Sequence, residues 1–72
     1  MPTIRELRVA RGLSQEALAA KARVSMRTVN RLERGNAVTR ATVDAVAKAL
    51  GVSPNAVTGV SILNRVQDRG AQ

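Results

Sequence analysis

Seventy-two residues carry 12 Lys and Arg against 5 Asp and Glu, a formal net charge of +7, and no Cys, His, Phe, Tyr or Trp. That length makes one domain with one small core, and the charge points to a polyanionic partner, nucleic acid or an anionic membrane. The missing Cys and His exclude disulfides, thiol nucleophiles, zinc sites and imidazole chemistry, while the missing aromatics remove the stacking platform of single-strand and RNA binders.

Duplex DNA is favoured by elimination. No catalytic residues, cofactor, metal or small-molecule substrate are expected. No run approaches the ~18 apolar residues of a membrane span, and the first residues lack the apolar core of a signal peptide, so a cytoplasmic protein is expected.

Thr3-Ile4-Arg5-Glu6 matches a capping box, which starts a first helix over about Ile4 to Arg11, with Ile4 and Leu7 as its apolar stripe and Gly12 as its stop. Ser14 caps a second helix over about Gln15 to Ala22, in which Gln15, Leu18, Ala19 and Ala22 share a face. Ala19 sits where a steeply crossing helix approaches most closely, a contact that allows little more than a methyl. Arg23 and Val24 form a tight turn, and Ser25 caps a third helix from about Ser25 to Arg34, closed by Gly35 and Asn36. Its inner face holds Val29 and Leu32.

The outer face of that third helix is chemically distinct. At about 100° per residue, Met26, Arg27, Asn30, Arg31 and Arg34 fall within one arc of roughly 140°, with no acid among them. Guanidiniums and an amide are the donors that guanine edges and phosphate oxygens accept. A solvated basic face is the commoner fate of such a run. Its position on the second helix of a helix-turn-helix pattern, in a strongly basic small chain, favours a DNA-recognition helix.

Thr39 caps a fourth helix whose Val43, Val46, Ala47 and Leu50 form the clearest core stripe, ended by Gly51. Ser53-Pro54 predicts a short fifth helix over about Pro54 to Val57, with Val52 and Val57 able to join the core. Beyond Thr58 the pattern weakens, though Ser61 can cap a last turn or two carrying Ile62, Leu63 and Val66. No segment alternates like a strand, so an all-α, compact bundle of five short helices is expected, with residues 1–58 as the domain and 59–72 as a tail.

With these features in place, the chain resembles the lambda-repressor and Cro class of helix-turn-helix proteins, the XRE family, over about Thr3 to Val57. The resemblance is carried by Ile4, Leu7 and Arg8, by Gly12-Leu13-Ser14-Gln15, by Leu18-Ala19, by Val29, Leu32-Glu33 and Gly35, and by Ala49-Leu50-Gly51-Val52-Ser53. It implies DNA-base contacts from Met26, Arg27 and Arg31, and phosphate contacts from Gln15 and Ser25. Asn30, Arg34, Asn36 and Arg40 are further phosphate candidates. Arg8 and Glu33 match the family's pair of charges joining the first helix to the end of the third. One departure stands out: Arg23 occupies a turn position where the family usually has glycine at positive φ.

The resemblance further implies a double-stranded DNA-binding regulator of phage-repressor, restriction-controller or antitoxin kind, acting as a homodimer on a two-fold operator. Val57, Val60, Ile62, Leu63 and Val66 are the expected dimer surface, more apolar side chains than one small core can bury after the fourth helix. An antitoxin acting mainly by covering a toxin partner is the alternative. A basic amphipathic membrane binder is disfavoured, because the apolar faces are all needed inside.

Overall fold

Each of four helices begins on a hydroxyl that accepts from the backbone three residues on. The computed structural model describes residues 1–63. Thr3 Oγ1 accepts the Glu6 amide at 3.1 Å while Glu6 Oε1 accepts the Thr3 amide at 2.8 Å, and this reciprocal box opens helix α1, Ile4–Ala10. Ser14 caps helix α2, Gln15–Ala22; Ser25 caps helix α3, Met26–Glu33; Thr39 caps helix α4, Arg40–Leu50. Helix α4 stops where Gly51 adopts φ 76°, a left-handed turn that costs glycine nothing.

The apolar stripes meet in one core. Ile4 from α1, Leu18, Ala19 and Ala22 from α2, Val29 and Leu32 from α3, and Val43, Val46, Ala47 and Leu50 from α4 are buried, and every residue buried as a whole among the described residues is apolar. Each fully buried Leu or Val contributes about 1.5–3 kcal/mol relative to exposure. Helix α2 packs against both α3 and α4, and Ala19, the methyl expected at a close crossing, is buried there.

Two expectations are corrected. The fifth helix is a 3-10 turn of three residues, Pro54–Ala56, so four α-helices are present among the described residues. Ser53 caps that turn, but Val57 leaves it with extended angles, φ −116° and ψ 155°, to place its side chain in the core. The Thr58 amide then donates to the Pro2 carbonyl at 2.9 Å, a bond that continued helix would forfeit.

The chain is also not purely helical. Strand β1, Ala37–Val38, pairs in parallel with strand β2, Ser61–Ile62, in the register Ala37 to Ser61 and Val38 to Ile62. Ser61 therefore caps no helical turn. The Leu63 amide donates to the Val38 carbonyl at 2.6 Å, and an isolated parallel bridge joins Thr3 to Thr58. The segment after Val57 thus straps the start of α1 to the loop that follows α3. Gly59 turns this segment at φ 79°, a left-handed conformation that favours glycine. Val66 lies outside the described residues.

Candidate nucleic-acid interface

The α2–α3 connection sets the interface. Arg23 ends α2 at φ 61° and ψ 41°, the left-handed conformation that its place in the turn demands, despite the Cβ penalty of a non-glycine residue. Val24, half-buried against the core, and Ser25 follow, so α3 starts with Val29 and Leu32 inward. The opposite face is thereby turned to solvent. Met26, Arg27, Arg31 and Arg34 are exposed, and Asn30 is half-buried beside them.

Neither α3 nor α4 has an acid in its first turn, although helix dipoles favour one there. Arg27 and Arg40 occupy those turns instead. The positive pole of each helix thus has a cation rather than an acid in its first turn.

The polar side chains divide between holding the fold and facing solvent. Ser25 Oγ accepts the Thr28 amide at 3.0 Å and lies 2.8 Å from Thr28 Oγ1, so its oxygen is engaged as a cap. Arg31 Nη2 donates to the Ala37 carbonyl at 3.2 Å, tying α3 to β1. Asn36 and Arg40 flank β1 and are exposed. Arg27 and Arg34 make no side-chain hydrogen bond or ion pair among the described residues.

Behind this face lies a polar hub. Arg8 Nε donates to Glu33 Oε2 at 2.6 Å and Nη2 to Oε1 at 3.2 Å, while Nη1 reaches the Leu13 carbonyl at 2.8 Å. The two side chains are only 13% and 5% exposed. Gln15 Nε2 adds a bond to Glu33 Oε1 at 3.0 Å. Burial alone would raise the Glu33 pKa, but the hydrogen bonds from Arg8 and Gln15 and the charges of Arg8 and Arg5 together hold it below its ordinary value.

Gln15 thus sits in the fold's polar hub, a role the sequence reading missed, and one amide hydrogen remains for an outside acceptor. Arg5 was missed too, although its spacing of three residues from Arg8 places both on one side of α1. The Arg31–Ala37 bond has no sequence signal, because it depends on the path of the loop. Of the expected dimer residues, Val57 is 7% exposed and belongs to the core, and Val60 is half-buried against that core. Ile62 and Leu63 are 42% and 41% exposed.

No group of three or more metal-ligating side chains occurs among the described residues, and no helix there is long and apolar enough to cross a membrane.

The comparisons with known proteins agree with this geometry. The family model described as Helix-turn-helix matches residues 4–57. No curated protein matches the chain. The crystal structure of the restriction-modification controller protein C.AhdI from Aeromonas hydrophila is similar at a TM-score of 0.69 and 40% identity, covering 72% of this chain and 80% of that one. A capped helix pair with a left-handed turn, an outward basic face on its second helix and this match over most of the length lead to one assignment: the chain belongs to the helix-turn-helix family of XRE type, the DNA-binding regulators of transcription.

Proposed function

We propose that the protein is a sequence-specific regulator that binds a two-fold operator in double-stranded DNA as a homodimer, of the restriction-controller kind. The observation that carries this reading is the acid-free outward face of α3, with Arg27 exposed and uncommitted at the helix start. The 40% identity to a restriction-modification controller protein supports the controller role over the phage-repressor and antitoxin ones.

In this reading α3 enters the major groove. Arg27 donates two hydrogen bonds to guanine O6 and N7, and Met26 packs on a thymine methyl. Arg31 reads a second base while sharing its guanidinium with the Ala37 carbonyl. Ser25, Gln15, Asn30, Arg34, Asn36 and Arg40 meet phosphates and fix the register. Arg8 and Glu33 hold α1 against the end of α3 and touch no base. Two protomers joined through Val60, Ile62 and Leu63 supply the reach that one small domain lacks, with recognition helices about 34–36 Å apart.

Selection from a random duplex pool, followed by footprinting, tests the reading. A palindromic site protected over two successive major grooves is expected, and Arg27→Ala should cost about 1–3 kcal/mol and relax preference at one base pair. A pool that fails to enrich, or an Arg27→Ala protein with unaltered preference, removes the assignment.

A further inference from the structure

An open cleft of about 350 Å³ runs between α1 and the end of α3, lined by Arg5, Arg8, Gln15, Asn30, Glu33 and Arg34. Three guanidiniums face one carboxylate in it. Arg8 is already committed, with Nε and Nη2 on Glu33 and Nη1 on the Leu13 carbonyl. Arg5 and Arg34 are exposed and form no side-chain hydrogen bond or ion pair among the described residues. Arg5 lines the cleft, and its charge also acts on the Glu33 carboxylate, behind the larger effects of burial, Arg8 and Gln15. Two guanidiniums therefore line one cleft whose single carboxylate is already paired with Arg8.

We propose that Arg5 is a phosphate-binding residue, gripping with Arg34 and the Asn30 amide one phosphodiester of the duplex, so that α1 joins α3 in holding the DNA backbone. A phosphodiester offers two non-bridging oxygens, which match the planar N–H forks of two guanidiniums better than any single-oxygen acceptor. Glu33 does not repel it strongly, since its charge is neutralised by Arg8 and its side chain is 5% exposed. Asn30 and Arg34 belong to the outward arc of α3, so the cleft opens on the face presented to DNA. The assignment of Arg5 rests on that DNA-facing reading of α3. A free phosphate ion presents the same oxygens, and the experiment separates the two sources.

The test uses the full chain, a duplex selected from the random pool and a random-sequence duplex, with affinity measured from 50 to 200 mM salt. Arg5→Gln should reduce the slope of log affinity against log salt by about 0.9, the share of one phosphate, which makes the affinity loss over that range about 3.5-fold smaller than in the parent. It should weaken binding to both duplexes by the same factor. Arg5→Lys should restore most of the slope, and Lys48→Gln, on α4 outside the cleft, should leave it unchanged. An unchanged slope in Arg5→Gln, with the parent binding normally, overturns the assignment, as does altered base preference. Titration with inorganic phosphate, followed at the arginine Nε–H resonances, reads the cleft without DNA. Shifts at Arg5 and Arg34 combined with an unchanged DNA slope would make it a free-anion site and overturn the DNA role. A parent chain that binds neither duplex removes the regulator reading itself, a distinct failure that takes this one with it.

Discussion

Three hydrogen bonds from two elements converge on the Glu33 carboxylate, from Arg8 Nε, Arg8 Nη2 and Gln15 Nε2. The pairing of Arg8 with Glu33 could be expected from the sequence through the family pattern, but the Gln15 bond could not, because it requires the first turn of α2 to lie beside the end of α3. Truncating one partner strands the other at low exposure, so Glu33→Ala should cost on the order of 3 kcal/mol, more than truncation of any exposed arginine. A double-mutant cycle with Arg8→Ala checks it, and additive losses would show that the two side chains are not coupled. Burial pushes the Glu33 pKa up, yet the hydrogen bonds and the arginine charges outweigh it, so the folded value lies below the unfolded one. Its contribution is then full above the ordinary carboxylate range near about 4.3 and disappears as pH falls through the lowered folded value. Glu33→Gln should flatten the acid limb of stability against pH in urea titrations. Arg23 gives the opposite sign. Its φ of 61° carries the left-handed penalty, so Arg23→Gly should stabilise by about 0.5–1 kcal/mol after glycine's own entropy cost, measured by the same titration. A loss of stability would mean that the Arg23 side chain makes a compensating contact.

The helices were legible because their signals are local. Thr3, Ser14, Ser25 and Thr39 each announce a helix within three residues, and Gly51 closes the last. The strands were not legible, since two residues apiece are too few to alternate, and Val38 meets Ile62 across an interval that no local window spans. The fifth helix failed for the same reason: Ser53-Pro54 signals a start, but the demand that Val57 fill the core ends the turn at Ala56. The outward basic face of α3 follows from periodicity, but its reading as a recognition face needs the helix-turn-helix order as well, and the engagement of Arg31 by Ala37 depends on the path of the loop. That strap has a measurable consequence. Leu63→Pro removes the amide that donates to the Val38 carbonyl, so amide exchange around residues 36–39 should accelerate while the centres of α2 and α4 keep their protection. Uniform acceleration across the chain would instead make the strap part of the global folding unit.

At the scale of the whole molecule, the apolar surface and the net charge oppose each other. Ile62 and Leu63, each about two-fifths exposed, form an apolar surface next to β1, and we propose that a second protomer covers them. Each protomer carries a formal charge of +7, so two of them repel at low salt, while a Debye length of about 8 Å at physiological ionic strength screens much of that repulsion. Self-association should therefore strengthen with salt, whereas DNA affinity weakens as counterion release becomes less favourable. Because counterion release from several phosphates outweighs the screening of that repulsion, operator binding should still fall with salt while self-association strengthens. Ile62→Lys with Leu63→Lys should yield a monomer whose helix content is nearly unchanged, because neither side chain belongs to the core, and whose operator affinity collapses at every salt concentration. Val57→Lys should unfold instead, since that side chain is 7% exposed. Sedimentation equilibrium at several salt concentrations, with circular dichroism on the same samples, decides between them. A parent chain that stays monomeric at high salt and high micromolar concentration would leave assembly on the operator as the only route to two-fold binding.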